Sequence, residues 1–204
     1  MQTIRSYLKC VPGVSALKAL DLATQPRFLL PTVFPFIVYL GWTYEAAAGS
    51  LGIHLLAALA IALVGWAGAM FIEYQPFFPL SKGAVNEFQG ALLFLVAGLI
   101  FLVWNLNGWP TFVQGFGLVA ALAVALWLPA RQFLELSGGV IFPTTVFIYM
   151  ASQDPRLAPL LLVLAIRVPV ALKIEDLSPF ETAVGLTLGV VSVASVLLFA
   201  PIGL

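Results

Sequence analysis

Carboxylates next to long apolar runs are the residues best suited to chemistry in this chain. Glu73 follows one such run within the stretch 71–76, and Glu175 and Asp176 form a polar step before the last run. Carboxylate oxygens are Mg²⁺ ligands, but a site that holds a diphosphate needs several acids from different helices. Adjacent residues also point to different faces of a helix. The alternatives stay open: Glu73 suits an interfacial helix end, and the Glu175-Asp176 stretch suits an ordinary charged loop.

Basic side chains supply the complementary chemistry. Arg167 places a fixed charge within an apolar run, where it could bind an anionic headgroup, pair with an acid or snorkel to the interface. His54 is interpreted as an interfacial residue, although a single His could hold the magnesium of one chlorin. No residue is assigned as a metal ligand.

The composition indicates that membrane helices position these residues. Of the 204 residues, 62% are hydrophobic and 9% are charged, whereas a soluble domain has about 25% charged residues. Nine basic residues balance nine acidic ones, so no nucleic-acid partner is expected. One His and one Cys exclude a haem with two His ligands, a Cys/His zinc site, an iron–sulfur cluster and an intrachain disulfide.

Seven apolar runs predict an all-α polytopic membrane protein with about seven transmembrane helices. Backbone polar groups must be paired inside hydrocarbon, so apolar runs of about 20 residues form helices there. The runs lie at 28–48, 51–72, 90–106, 111–130, 138–152, 158–173 and 183–203. The fifth and sixth are short and rich in proline, which predicts kinked or partly buried helices.

Residues 1–204 are interpreted as a single transmembrane domain. The segment 1–24 alternates apolar and basic residues and predicts an amphipathic helix in the interface, broken at Pro12-Gly13, before the bundle of 28–203. Basic residues predict a cytoplasmic N-terminus, with the loops 73–89, 131–137 and 173–182 on the same side. The links at 49–50, 107–110 and 153–157 are then expected outside, where Trp42, Trp109 and Tyr149 would be interfacial aromatics.

Three local patterns predict contacts between or within helices. Thr144 and Thr145 are expected to bond back to the helix backbone beside Pro143. The Gly185–Gly189 spacing matches the small-xxx-small pattern of closely packed membrane helices. Glu181, after Ser178-Pro179, suits a helix N-terminus.

Four stretches, in order, resemble the first seven helices of UbiA-type intramembrane prenyltransferases. The stretch 25–31 is similar to the family's Arg-Pro entry into helix one, and 79–85 resembles its loop before helix three. The stretch 134–143 resembles the glycine-rich start of helix five, and 182–189 resembles the opening of helix seven. Each motif is short, but their order and spacing agree across most of the chain.

The resemblance implies a reaction for which this sequence has too few acids. The family binds an isoprenyl diphosphate through Mg²⁺ held by two aspartate-rich motifs, after helices two and six. The first position here retains only Glu73, and the second has one acidic step, Glu175-Asp176, where the family has two. The chain would also end at Leu204, about where the family's eighth helix begins. We therefore expect a degenerate, C-terminally short member of the superfamily.

The expected function is that of a non-catalytic membrane subunit that binds an isoprenoid or pigment-type lipid, or scaffolds a larger membrane complex. Its ligand would be an isoprenoid, a quinone, a carotenoid or a chlorin, and its partners would be membrane lipids and other membrane subunits. One alternative is a divergent Mg²⁺-dependent prenyltransferase using Glu73, Glu175 and Asp176, with Lys82 and Lys173 on the diphosphate. Another is a small transporter.

Overall fold

A computed structural model describes residues 26–45, 50–73, 82–173 and 177–199. Its elements are α1 (Pro26–Tyr44), α2 (Leu51–Glu73), α3 (Lys82–Leu106), α4 (Thr111–Ala130), α5 (Gly138–Gln153), a 3-10 segment (Pro155–Leu161), α6 (Leu162–Lys173) and α7 (Pro179–Phe199). No strand occurs within these ranges, so the predicted all-α class is confirmed for them. The predicted interfacial segment 1–24 lies outside the described residues.

Within the described residues, five helical stretches are long and apolar enough to cross a membrane. They are Leu51–Gly68, Phe88–Leu106, Thr111–Ala130, Pro155–Leu172 and Pro179–Phe199. Helices α1 and α5 correspond to the first and fifth apolar runs. The apolar stretch of α1, Val33–Tyr44, is shorter than the five. The chain is therefore a multi-pass integral membrane protein.

Helix α5 lies at the centre of the bundle, in contact with α1, α4, α6, α7 and the 3-10 segment. Its 16 residues would extend only about 24 Å, and most of them are buried. Thr144 Oγ1 donates to the Val140 carbonyl at 2.7 Å and Thr145 Oγ1 to that of Ile141 at 2.9 Å, as predicted. Other helices, rather than lipid, are therefore the main surroundings of this short segment.

Glycines allow the closest helix contacts. A Cβ at Gly189 of α7 would lie 2.7 Å from Thr144 Cγ2, and one at Gly185 would lie 3.2 Å from Val140 Cγ1. The predicted small-xxx-small contact therefore exists, and α5 is the partner of α7 in it. Gly117 of α4 approaches the backbone of α3 in the same way, since its Cβ would lie 2.7 Å from Phe101 N.

The sixth apolar run is divided into two conformations. Its first part, Pro155–Leu161, is a 3-10 segment, and α6 begins only at Leu162. Asp154 precedes the segment, and its carboxylate accepts from Arg156 N at 2.8 Å. Pro159 lacks the N–H that an α-helix would use, which favours the tighter segment at this point.

Hydrogen bonds between helix ends show which links share an end of the bundle. Tyr44 Oη donates to Asp154 Oδ2 at 2.5 Å, and Thr111 N donates to Glu45 Oε2 at 2.7 Å. These contacts place the links after α1, α3 and α5 together, at what is called here the Glu45 end. The loop 131–137 lies at the opposite end, where Glu135 N donates to Glu181 Oε1 at 3.0 Å. This grouping agrees with the grouping predicted from the basic residues.

Candidate functional site

The predicted acidic site falls largely outside the described residues. Glu175 and Asp176 lie in the undescribed stretch 174–176, and Glu73 closes α2 with its side chain outside the description. Lys82 begins α3 and Lys173 ends α6, again with undescribed side chains. The directions of α2, α3 and α6 place the backbones of Glu73, Lys82 and Lys173 at the end of the bundle opposite Glu45, called here the Glu181 end. Among the described residues no three His, Cys, Asp or Glu side chains converge on a metal position.

Arg167 is enclosed by the bundle and does not snorkel to the interface. Only 2% of the residue is exposed, and Nε donates to the Gly139 carbonyl oxygen at 2.5 Å. In an α-helix that carbonyl would accept from the N–H four residues later, but Pro143 has none. The guanidinium therefore supplies the donor that Pro143 removes, and it ties α6 to the start of α5. The signal in the sequence was Pro143 itself, which leaves one carbonyl inside the membrane without a helical donor.

His54 is packed against tryptophans rather than exposed at a lipid interface. Its ring centroid lies 4.2 Å from that of Trp109 and 6.4 Å from that of Trp104, and the residue is 0% exposed. The two indoles form an edge-to-face pair at 5.2 Å. His54 therefore lies near a helix end, as predicted, but inside the protein.

Tyr149 is also buried, in contrast to the predicted interfacial position. The residue is 2% exposed, and Oη donates to the Phe112 carbonyl at 2.6 Å. A buried tyrosine hydroxyl requires a hydrogen-bond partner, and the first turn of α4 supplies it. The side chain therefore joins α5 to α4 instead of meeting lipid headgroups.

Glu45, which the sequence analysis did not single out, caps α4. Its carboxylate accepts from Thr111 N and Phe112 N, both at 2.7 Å, and from Thr111 Oγ1 at 2.9 Å. Pro110 holds the N-cap position and provides no side-chain cap. Because the first N–H groups of a helix have no acceptor within it, a distant carboxylate stabilises them.

The opposite end holds a capping box and a pocket. Ser178 N donates to Glu181 Oε2 at 2.9 Å, and Glu181 N donates to Ser178 Oγ at 3.2 Å. This reciprocal pair starts α7 as the sequence predicted. The loop 131–137, Leu177 and Glu181 line a pocket of about 730 Å³ beside it.

The pocket has a cation fixed at one side. The guanidinium carbon of Arg131 lies 4.7 Å from the Trp127 ring centroid, within cation–π range. The indole Nε1 donates in turn to the Leu136 carbonyl at 3.2 Å. Arg131 had served only to predict orientation. Its role here depends on a fold in which α4 ends against the turn that precedes α5.

These contacts position helix ends. The serine and threonine hydroxyl groups that contact carboxylates here, Ser178 Oγ on Glu181 and Thr111 Oγ1 on Glu45, belong to helix caps. Glu45, Asp154 and Glu181 accept hydrogen bonds from backbone N–H groups at helix starts. Such contacts hold helix ends in place. Comparison of the chain with protein-family models, with curated proteins and with solved structures finds no match.

Proposed function

We propose that this chain is a non-catalytic, UbiA-like membrane subunit that binds an isoprenoid or pigment-type lipid within a larger membrane assembly. The observation that carries the proposal is that three of the four carboxylates whose side chains the structure describes serve as helix caps, the fourth being Glu135. Glu45, Asp154 and Glu181 are all engaged by helix-start N–H groups. An Mg²⁺–diphosphate site needs carboxylates that are free to coordinate metal.

The exposed apolar surface of α2 is an argument for lipids or other membrane subunits as partners. Helix α2 contacts only α1 and α3 among the described elements, and it is apolar around its circumference. Large side chains are exposed along it: Ile53, Leu56, Leu59, Leu63, Val64 and Trp66. In a bilayer such a surface is covered by acyl chains, by an isoprenoid or by a neighbouring helix.

We further propose seven spans with a cytoplasmic N-terminus. The backbones of Lys82, Arg131 and Lys173 lie at the Glu181 end, whereas Arg156 lies at the Glu45 end, so the positive-inside rule favours a cytoplasmic Glu181 end. Single cysteines at 132 and 156, in a chain with Cys10→Ser, test this in sealed right-side-out vesicles. An impermeant maleimide should label only the cysteine at 156. Labelling only at 132 reverses the orientation.

The active-enzyme alternative is favoured by one arrangement. The end of α2, the start of α3 and the end of α6 share one end of the bundle. The retained acidic and basic positions flank these helix ends, as they would in a prenyltransferase. An assay for turnover must therefore accompany any search for a bound lipid.

The decisive experiment uses the purified full chain in nanodiscs. Geranylgeranyl diphosphate, Mg²⁺ and a lipid extract as acceptor source are added, and released diphosphate is measured. We expect no release above an empty-nanodisc blank. Mass spectrometry and an absorption spectrum of gently solubilised protein should instead reveal a co-purified isoprenoid or pigment. If neither an isoprenoid nor a pigment co-purifies with the protein, the binding proposal is refuted.

Two variants give the assay its specificity. Glu73→Gln removes the acid of the first motif position, and Asp154→Asn removes a carboxylate at the opposite end. Turnover that is lost in Glu73→Gln but kept in Asp154→Asn would establish the enzyme and overturn the non-catalytic proposal. Equal background in all three proteins supports the proposal.

A further inference from the structure

The pocket beside the α7 capping box is a separate feature with its own chemistry. The loop 131–137 forms most of its wall, and Leu177 and Glu181 complete it. The hydrogen bond from Glu135 N to Glu181 Oε1 at 3.0 Å holds the loop against α7. Its volume of about 730 Å³ lies within the range of about 300–1,000 Å³ that holds small ligands.

The helix ends around the pocket indicate that it lies at the level of the lipid headgroups. Helix α4 ends at Ala130, α5 begins at Gly138 and α7 begins at Pro179, so three apolar helices terminate around it. The aromatic side chains near it are exposed, Phe133 by 83% and Phe180 by 66%. Exposed aromatic side chains at a span end suit the boundary between headgroups and acyl chains.

The pocket presents charges of both signs. Arg131 contributes one positive charge, and Glu135 and Glu181 contribute two negative charges, so the three sum to −1. A guanidinium binds phosphate oxygens through its planar set of N–H donors. The two carboxylates accept from an ammonium and repel a headgroup that is only anionic.

Two of the three charges are held in place by neighbours. Arg131 is positioned by the Trp127 ring, 4.7 Å from its guanidinium carbon. Glu181 is positioned by Ser178 N and Oγ, at 2.9 and 2.7 Å, and by Glu135 N. Preorganised charges lower the cost of ordering the site when a ligand binds.

We infer that this pocket binds the headgroup of a phospholipid with a primary ammonium, of the phosphatidylethanolamine class. The lipid phosphate lies at Arg131, and the ammonium lies between Glu135 and Glu181. The exposed Phe133 and Phe180 side chains face the upper acyl chains. This site is distinct from the isoprenoid or pigment proposed above, and its test does not depend on that ligand.

Native mass spectrometry of the delipidated full chain tests the headgroup. Phosphatidylethanolamine, phosphatidylcholine and phosphatidylglycerol with identical acyl chains are added one at a time, and the bound fraction is titrated. The expected order has phosphatidylethanolamine first, because choline has no N–H to donate and phosphatidylglycerol has no cation. We expect a preference of about fivefold, the upper range for one partly exposed ion pair. Equal binding of the three lipids, or tighter binding of phosphatidylglycerol, overturns the inference.

Glu135→Gln isolates the ammonium contact. The substitution keeps the side-chain shape and the backbone N–H that bonds Glu181, so the pocket wall is retained. The preference over phosphatidylcholine should fall in this variant, while binding of phosphatidylcholine itself should not weaken. An unchanged preference would show that the ammonium is not read at this pocket.

Arg131→Gln isolates the phosphate contact, with Arg156→Gln as its matched control. Arg156 is an exposed arginine at the opposite end of the bundle. Loss of Arg131 should weaken all three lipids, whereas loss of Arg156 should weaken none. Equal effects of the two substitutions would show only a general attraction of basic residues for lipid phosphate and would refute the site.

Discussion

Gly117→Ala tests a close backbone contact between α3 and α4. Gly117 of α4 faces the backbone of α3. A Cβ at this position would lie 2.7 Å from Phe101 N, 3.0 Å from the Ala97 carbonyl oxygen and 3.1 Å from Phe101 Cα. These are main-chain atoms, so no rotamer change relieves the overlap. The two helices must move apart to admit one methyl group.

The size of the effect follows from two opposing terms. Alanine favours a helix interior over glycine by up to about 1 kcal/mol. Inserting a methyl group into a packed interface costs about 1–3 kcal/mol, with rigid neighbours at the upper end. We therefore expect Gly117→Ala to lower the free energy of unfolding by about 1–2 kcal/mol.

Gly98→Ala is the matched control, because it carries the same chemical change on the facing helix. No heavy atom lies within 4 Å of the Cβ it would add. Its stability should equal or slightly exceed that of the wild type. Unfolding in detergent micelles by added dodecyl sulfate, followed by tryptophan fluorescence, measures both variants. Wild-type stability in Gly117→Ala, or equal losses in the two variants, would refute this account of the α3–α4 contact.

Two further substitutions test the polar contacts of the Glu45 end. Glu45→Ala should cost about 1–2 kcal/mol in the same unfolding assay, because Thr111 N and Phe112 N lose their acceptor; Glu45→Gln should lose less. The hydrogen bond from Tyr44 first, and that from Arg156 N second, hold the pKa of Asp154 below its ordinary 3.8. The hydrogen bond between Tyr44 and Asp154 therefore stabilises the fold fully at pH values above 3.8. This stabilisation is lost as the pH falls through the lowered pKa of Asp154. Thermal midpoints of wild type and Tyr44→Phe should differ at pH 7, and the difference should shrink as the pH is lowered below 3.8; a constant difference contradicts this assignment.

The helices could be predicted because hydrocarbon imposes one rule on every backbone group. Apolar runs of sufficient length become helices there, whatever lies next to them. The bounds differed where local chemistry acted. The last apolar run was placed at 183–203, but helix α7 already begins at Pro179, as the Ser178-Pro179 pair had indicated, because the Ser178–Glu181 capping box starts it. The sixth run became a 3-10 segment and a short helix because prolines interrupt it.

The partners of the polar residues could not be predicted, because they are distant in sequence. Glu45 caps a helix that starts 66 residues later, and Arg167 bonds a carbonyl 28 residues earlier. What the sequence did contain was the need for such partners. Pro143 removes one N–H, and Pro110 offers no side chain to cap α4. A single residue shows where a backbone group lacks a helical partner. Which side chain supplies that partner depends on how two helices pack.

This distinction separates structural polar groups from candidates for binding. At membrane depth a polar side chain that satisfies an open backbone group lowers the cost of burying that group, so it already has a physical reason to be present. Arg167 has such a reason in Gly139, and Glu45, at a helix end rather than at membrane depth, has one in the first turn of α4. Glu135 lines an open pocket together with Arg131, and its carboxylate caps no helix among those described above, so folding supplies no comparable reason for it. Ligand chemistry in the described part of this bundle should therefore be sought first at that pocket rather than at the buried arginine.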